Sequence, residues 1–197
     1  MYKNTGTKIK RILFDIFDII AFLVFVVGLV LFIRFFIFNP YSVVGQSMSP
    51  TLEWWDFLVI DKIGPRFGEL ERWDIVVFVA EGRKTPFIKR IIWLPWETVK
   101  IVDGGVEICN SDDCKVLDEP YIPSTTSTSV RCNSVYDDVY EVEWGYFVLW
   151  DNRNHSTDSR CCFTIGCYED SNYIVRDEDV IGRLLIRLWP ASLIEVF

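Results

Sequence analysis

Apolar residues run almost unbroken from Ile12 to Phe38 and then give way to short alternating stretches. The uncharged centre, Ile19–Ile33, is about 15 residues long, and Phe35–Phe38 extends it beyond Arg34. Roughly 20 apolar residues in a helix cross the hydrocarbon core of a bilayer. The run attains that length with Asp18 or Arg34 near an interface, where an arginine snorkels. Ala21–Phe32 lacks the polar face of a buried core helix. The run closes in Phe36-Ile37-Phe38-Asn39-Pro40, without the small-residue exit of a cleavable leader. The pattern predicts one transmembrane α-helix over residues 12–38. Lys3, Lys8, Lys10 and Arg11 precede it, which puts a tail of residues 1–11 in the cytoplasm and the rest of the chain outside.

Beyond Phe38 the period changes. Phe57–Ile60, Ile75–Val79, Phe87–Ile92, Thr98–Val102, Tyr146–Leu149 and Ile181–Leu188 are short runs of branched and aromatic residues separated by turn-forming clusters. No convincing amphipathic helical stretch follows the anchor. The fold class predicted is a mostly β extracytoplasmic domain over 39–197, preceded by the single helix. Cys109–Glu143 is the least regular part, with Pro120, Pro123 and the polar run Ser124–Ser129. It reads as a mobile surface insertion.

A length of 197 residues accommodates one domain with a real core plus a short appendage. The net charge is −8 although the tail before the helix is basic, so the exported part is strongly acidic. That excludes nucleic acid and anionic headgroups as its main partners, because no Lys/Arg cluster supplies the attraction. Six cysteines (109, 114, 132, 161, 162 and 167) fit an oxidising compartment. They allow fifteen pairings; Cys109 and Cys114 flank a turn signal and suit a bridge closing a hairpin. Zinc is disfavoured, since the spacings do not repeat and no histidine pattern accompanies them.

The candidate chemistry centres on Ser47, in Ser47-Met48-Ser49-Pro50-Thr51-Leu52, some ten residues past the anchor. A serine needs a base to take its proton, and histidine is the usual one. The chain has one, His155, in a polar turn-like stretch typical of a solvated side chain. A lysine serves if burial keeps it neutral. Lys89 lies between Pro86-Phe87-Ile88 and Ile91-Ile92-Trp93-Leu94, and in a strand Lys89 and Arg90 face opposite ways. One can be desolvated while the other is paired. Taken singly, such a lysine is more often an edge-strand gatekeeper and such a serine a turn residue.

Three ordered segments change that balance. Ser47–Leu52, Lys89-Arg90 running into Ile91–Glu97, and Trp150–Arg160 together resemble the bacterial type I signal peptidases, Ser/Lys proteases held at the membrane. The resemblance covers the chain apart from Cys109–Glu143. It implies Ser47 as nucleophile and Lys89 as general base, with Ser156 orienting the lysine. Asp151, Asp158 and Arg160, with Arg90, would hold the site together. The family's oxyanion hole uses the nucleophile's backbone N–H, in some members with a serine two residues upstream; Gly45 occupies that place here. Trp55, Trp73, Trp93, Trp96, Trp144 and Trp150 stand where the family has glycine, at turns that favour φ > 0. Two accounts are open: UGA codons that the source reads as glycine, or a genuine aromatic surface facing a membrane.

The implied function is removal of signal peptides from exported preproteins after small residues, with no metal or organic cofactor. The partners expected are signal peptides and the lipid bilayer, and no nucleic acid; the location is the cell membrane, single-pass. Two alternatives are a related Ser/Lys protease such as a self-cleaving regulator, and an inactive membrane-tethered module that binds signal peptides.

Overall fold

The computed structural model describes residues 5–68, 70–110, 113–129, 132–134, 138–153, 157–164, 166–167 and 172–197. Helix α1 (Thr5–Phe32) leads through a π-helical turn, Ile33–Ile37, directly into strand β1 (Phe38–Ser42). The helix thus starts earlier and ends earlier than the apolar run suggests. Asn39-Pro40 cannot continue a helix, and Lys62 replaces the lost bonds: its Nζ donates to Phe35 O at 2.8 Å and its N–H to Ile37 O at 2.9 Å. Lys10–Ile37 is long and apolar enough to cross a membrane, and none of its most apolar stretch is buried inside the protein.

The remaining elements are β2 (Phe57–Asp61), the short α2 (Gly64–Phe67), β3 (Ile75–Phe78), β4 (Phe87–Trp93), β5 (Glu97–Val102), β6 (Gly105–Asn110), β7 (Asp113–Val116), β8 (Asn133–Ser134), β9 (Val139–Val142), β10 (Phe147–Leu149), β11 (Gly166–Cys167), β12 (Val180–Trp189) and β13 (Glu195–Val196). The fold is mostly β with one long N-terminal helix, as the pattern predicts. One sheet has the order β1-β2-β12-β3-β4-β10, with β13 on β12, and a second has β7-β6-β5-β9. β4 feeds the second sheet through Pro95-Trp96.

Cys109–Glu143 is more ordered than its composition indicates. Cys109 and Cys114 pair across β6 and β7 and are joined by a disulfide, closing the hairpin. β9 lies along β5, burying Tyr140 and Val142 and exposing the residues between, the alternation of a strand with one covered face. A second bridge ties Cys132 to Cys161, and Cys162 is disulfide-bonded as well.

The core has three clusters. Met48 and Leu52, both fully buried, pack with Val43, Leu58, Ile60, Ile75, Val77 and Leu184, so the Ser47 segment is nailed to the sheet by its own apolar residues. Phe78 fills the middle of another cluster, its ring against Phe87 and Phe163.

Three tryptophans adopt backbone that favours glycine: Trp55 at φ 75°, Trp73 at φ 80° and Trp96 at φ 71°. A Cβ in that region meets the carbonyl oxygen that follows, at a cost of roughly 1–2 kcal/mol per residue.

Phe78→Ala removes a fully buried ring, and its unfolding free energy in detergent should fall by about 3–5 kcal/mol, measured by urea titration.

Candidate active site

Ser47 lies in the loop between β1 and β2, Lys89 in the middle of β4, and residues 150–160 follow β10. The strand order β3-β4-β10 brings the last of these beside the lysine. The loop and the final segment are also stitched directly. The Asn152 N–H donates to Ser47 O and Asn152 Nδ2 to Gln46 O, each at 3.0 Å.

Ser47 and Lys89 line one cleft of about 460 Å³, with Tyr41–Val44 on one wall and Thr85–Ile88 on the other. Lys89 is 1% exposed and Ser47 9%. Burial holds the Lys89 amine well below the ordinary lysine value, and the Asp158 carboxylate offsets only part of that. Nζ donates to Ile88 O at 2.9 Å and lies over two rings, Trp150 at 4.1 Å and Phe87 at 4.7 Å from their centroids. Among the described residues the Ser47 side chain makes no hydrogen bond with it. The Ser47 backbone N–H likewise donates to no described residue. Gly45 takes φ 98°, a turn that glycine enters without strain.

Alternation along β4 does for Arg90 what it does for Lys89, on the other face. Its guanidinium grips Asp151 with two bonds of 2.9 and 2.7 Å, donates to Trp73 O and reaches Thr51 Oγ1 at 3.4 Å. Arg187 donates to Thr51 O at 2.7 Å, so two arginines fix the end of the Ser47 segment. Asp158 caps the 3₁₀ turn Ser159–Cys161 and pairs with Arg160 at 2.7 Å. Arg160 continues to Ser129 O and Arg153 O. The structure therefore assembles Gly45, Ser47, Lys89, Arg90, Asp151, Asp158 and Arg160 in one neighbourhood. Ser156 and His155 lie outside the described residues.

Sequence reasoning missed the partners of Arg153, whose side chain is wholly buried. Glu119 binds it with both oxygens, Thr128 accepts at 2.8 Å, and Tyr121 accepts at 3.1 Å while its ring lies under Arg90 at 4.0 Å. Burial pushes the Tyr121 phenol up, so it stays neutral. The strap from Leu117 to Ser129, expected to be mobile, is pinned to the segment that supports the site. Arg153 stood in a recognisable motif, but Glu119 lies 34 positions earlier and nothing local marks it.

A cleft that joins a serine to a buried lysine has the make-up of a serine hydrolase. The comparisons with known proteins specify it further. The family described as "Signal peptidase, peptidase S26" matches residues 16–189, and the chain belongs to it. The chain is 38% identical over 136 residues to signal peptidase I T of Bacillus subtilis, covering 67% of this chain and 68% of that protein. It is 36% identical over 136 residues to signal peptidase I of Bacillus licheniformis, covering 67% and 71%. To signal peptidase I of Leptolyngbya laminosa it is 35% identical over 172 residues, covering 83% and 75%. A crystal structure of a signal peptidase I from Enterococcus faecalis is 28% identical with a TM-score of 0.43, covering 59% of this chain and 97% of that one. The chain is thus a serine peptidase of the signal peptidase I type.

Glu119→Ala strands a buried guanidinium, and the unfolding free energy should drop by about 3–5 kcal/mol, read by denaturant titration.

Proposed function

We propose that this chain is a single-span membrane endopeptidase that removes signal peptides from exported preproteins with a Ser47/Lys89 dyad. The observation carrying the reading is a fully buried lysine, depressed by desolvation, in the same cleft as a serine. A neutral amine is a competent general base at neutral pH, whereas an ammonium is not.

Lys89 takes the proton from Ser47 Oγ as that oxygen attacks the scissile carbonyl. The tetrahedral oxyanion is received by the N–H of Ser47. Lys89 then gives the proton to the departing amine, and an acyl-enzyme remains on Ser47. The lysine next deprotonates a water, which releases the acid product and restores the serine. By the family resemblance Ser156 would orient the amine. Arg90–Asp151 ties β4 to the segment after β10, and Arg160–Asp158 braces the 3₁₀ turn within that segment.

The cleft walls favour an extended substrate. Backbone at Val43–Val44 and Thr85–Ile88 flanks it, and apolar Leu58 and Val77 form its floor. A peptide laid there in strand form offers its alternate side chains to the floor. Helix Lys10–Ile37 anchors the domain in the bilayer. The basic residues before it keep the N-terminus cytoplasmic and put the peptidase outside, where disulfides such as Cys109–Cys114 persist.

In a preprotein cleavage assay Ser47→Ala and Lys89→Ala should each lower kcat/KM by about 10³-fold or more; processing equal to that of the unsubstituted chain would exclude the dyad. The pH profile should rise through the depressed Lys89 value, well under 10.5, because only the deprotonated amine acts as base. Stability should shift with the same sign. The unfolded chain keeps that proton up to the ordinary value, so this group makes folding more favourable as pH rises between the two values. Denaturant midpoints of the unsubstituted chain and Lys89→Met across that window measure it.

A further inference from the structure

The tryptophans concentrate the unfavourable features of this molecule. Among the described residues seven non-glycine positions have positive φ, and those with φ of 70° or more are Trp55, Trp73 and Trp96. Large residues almost never occupy that region, whereas glycine enters it freely. Trp55 and Trp96 are also more than two-thirds exposed and touch only the rings of Trp54 and Trp144, themselves largely in solvent, so little burial of the indole compensates for the backbone. A second, independent signal comes from hydrogen bonding. Among the described residues, two buried side-chain polar atoms lack a partner, and both are indole nitrogens, of Trp93 and Trp150. Native interiors satisfy nearly all such groups.

Trp150 matters most for chemistry. It lines the cleft that holds Ser47 and Lys89, and its ring lies closer to Nζ than Phe87 does. The amine is held between two aromatic faces and donates to the carbonyl of its own neighbour, Ile88. A residue with no side chain at 150 would uncover one side of Nζ and let it swing toward the hydroxyl.

We infer that glycine occupies positions 55, 73, 96 and 150 of the working enzyme, the source cell reading as glycine a UGA codon rendered as tryptophan in this sequence, and that residue 150 sets access to the Lys89 amine. UGA differs from the tryptophan codon UGG by one base, so a single reassignment accounts for all four positions. The access half rests on the Ser47/Lys89 reading; the identity half does not.

The test has three arms. Peptide mass spectrometry of the protein purified from its source should return glycine at 55, 73, 96 and 150; tryptophan at these positions overturns the identity. In recombinant protein, Trp55→Gly, Trp73→Gly and Trp96→Gly should each raise Tm by about 2–4 °C, and a lowered Tm counts against relief of the backbone. Trp150→Gly, in the background of those three, should raise kcat/KM on a small-residue peptide by about 10- to 100-fold and sharpen the alkaline rise of the pH profile; an unchanged or lower rate overturns the access role. Adding Lys89→Ala to that background separates the two readings. Activity that survives it refutes the lysine base while the mass result still decides the glycine assignment.

Discussion

The removal of one ammonium group from water is the constraint on which the rest of the structure depends. Lys89 sits in β4, with β3 and β10 on either side, and almost none of it reaches solvent. An unpaired charge in such a place is expensive, which lowers the amine's affinity for its proton. The cost of holding a polar group there is met by the core around it. Val76 stands opposite Lys89 in β3, and Phe87 and Val77 close the same cleft. The depressed amine is thus a property of the sheet, with Asp158 as a moderating charge.

A second constraint concerns the arginines. Arg90, Arg153, Arg160 and Arg187 are all buried, and each is matched to a carboxylate: Asp151, Glu119, Asp158 and Asp56. Guanidinium suits this use because it keeps its charge and offers several donors in a fixed plane. Arg90, Arg160 and Arg187 also donate to backbone carbonyls from another part of the chain, Trp73 O, Ser129 O and Thr51 O. The pairs therefore act as bolts between segments that are distant in sequence. Buried pairs contribute little net stability against an apolar alternative, yet losing one member is costly. Their value here is geometric, since they fix the loops that carry Ser47 and residues 150–160.

Electrostatics and covalent links divide the work between the two sheets. The Ser47 loop, β4 and the end of β10 belong to the larger sheet, while the smaller one carries the strap that reaches back to Arg153. Disulfide Cys109–Cys114 closes the β6–β7 hairpin of the smaller sheet, and Cys132–Cys161 ties the chain after the strap to the turn beside Asp158.

The sequence by itself determined the elements whose signals are local. The apolar run announced α1, short runs of branched and aromatic residues announced β2, β3, β4, β5, β10 and β12, and the Cys109/Cys114 turn announced a hairpin. Alternation in β4 was enough to separate the faces of Lys89 and Arg90. Only the tertiary structure decided what each face meets. Asp151 is 61 residues from Arg90 and Glu119 is 34 from Arg153, and no spacing rule reaches that far. The same applies to the strap, whose polar composition suggested a mobile loop until Arg153 was seen to need its carboxylate. Local periodicity records which way a side chain points; the partner it finds there depends on how distant strands pack, because burial and charge matching act through space rather than along the chain.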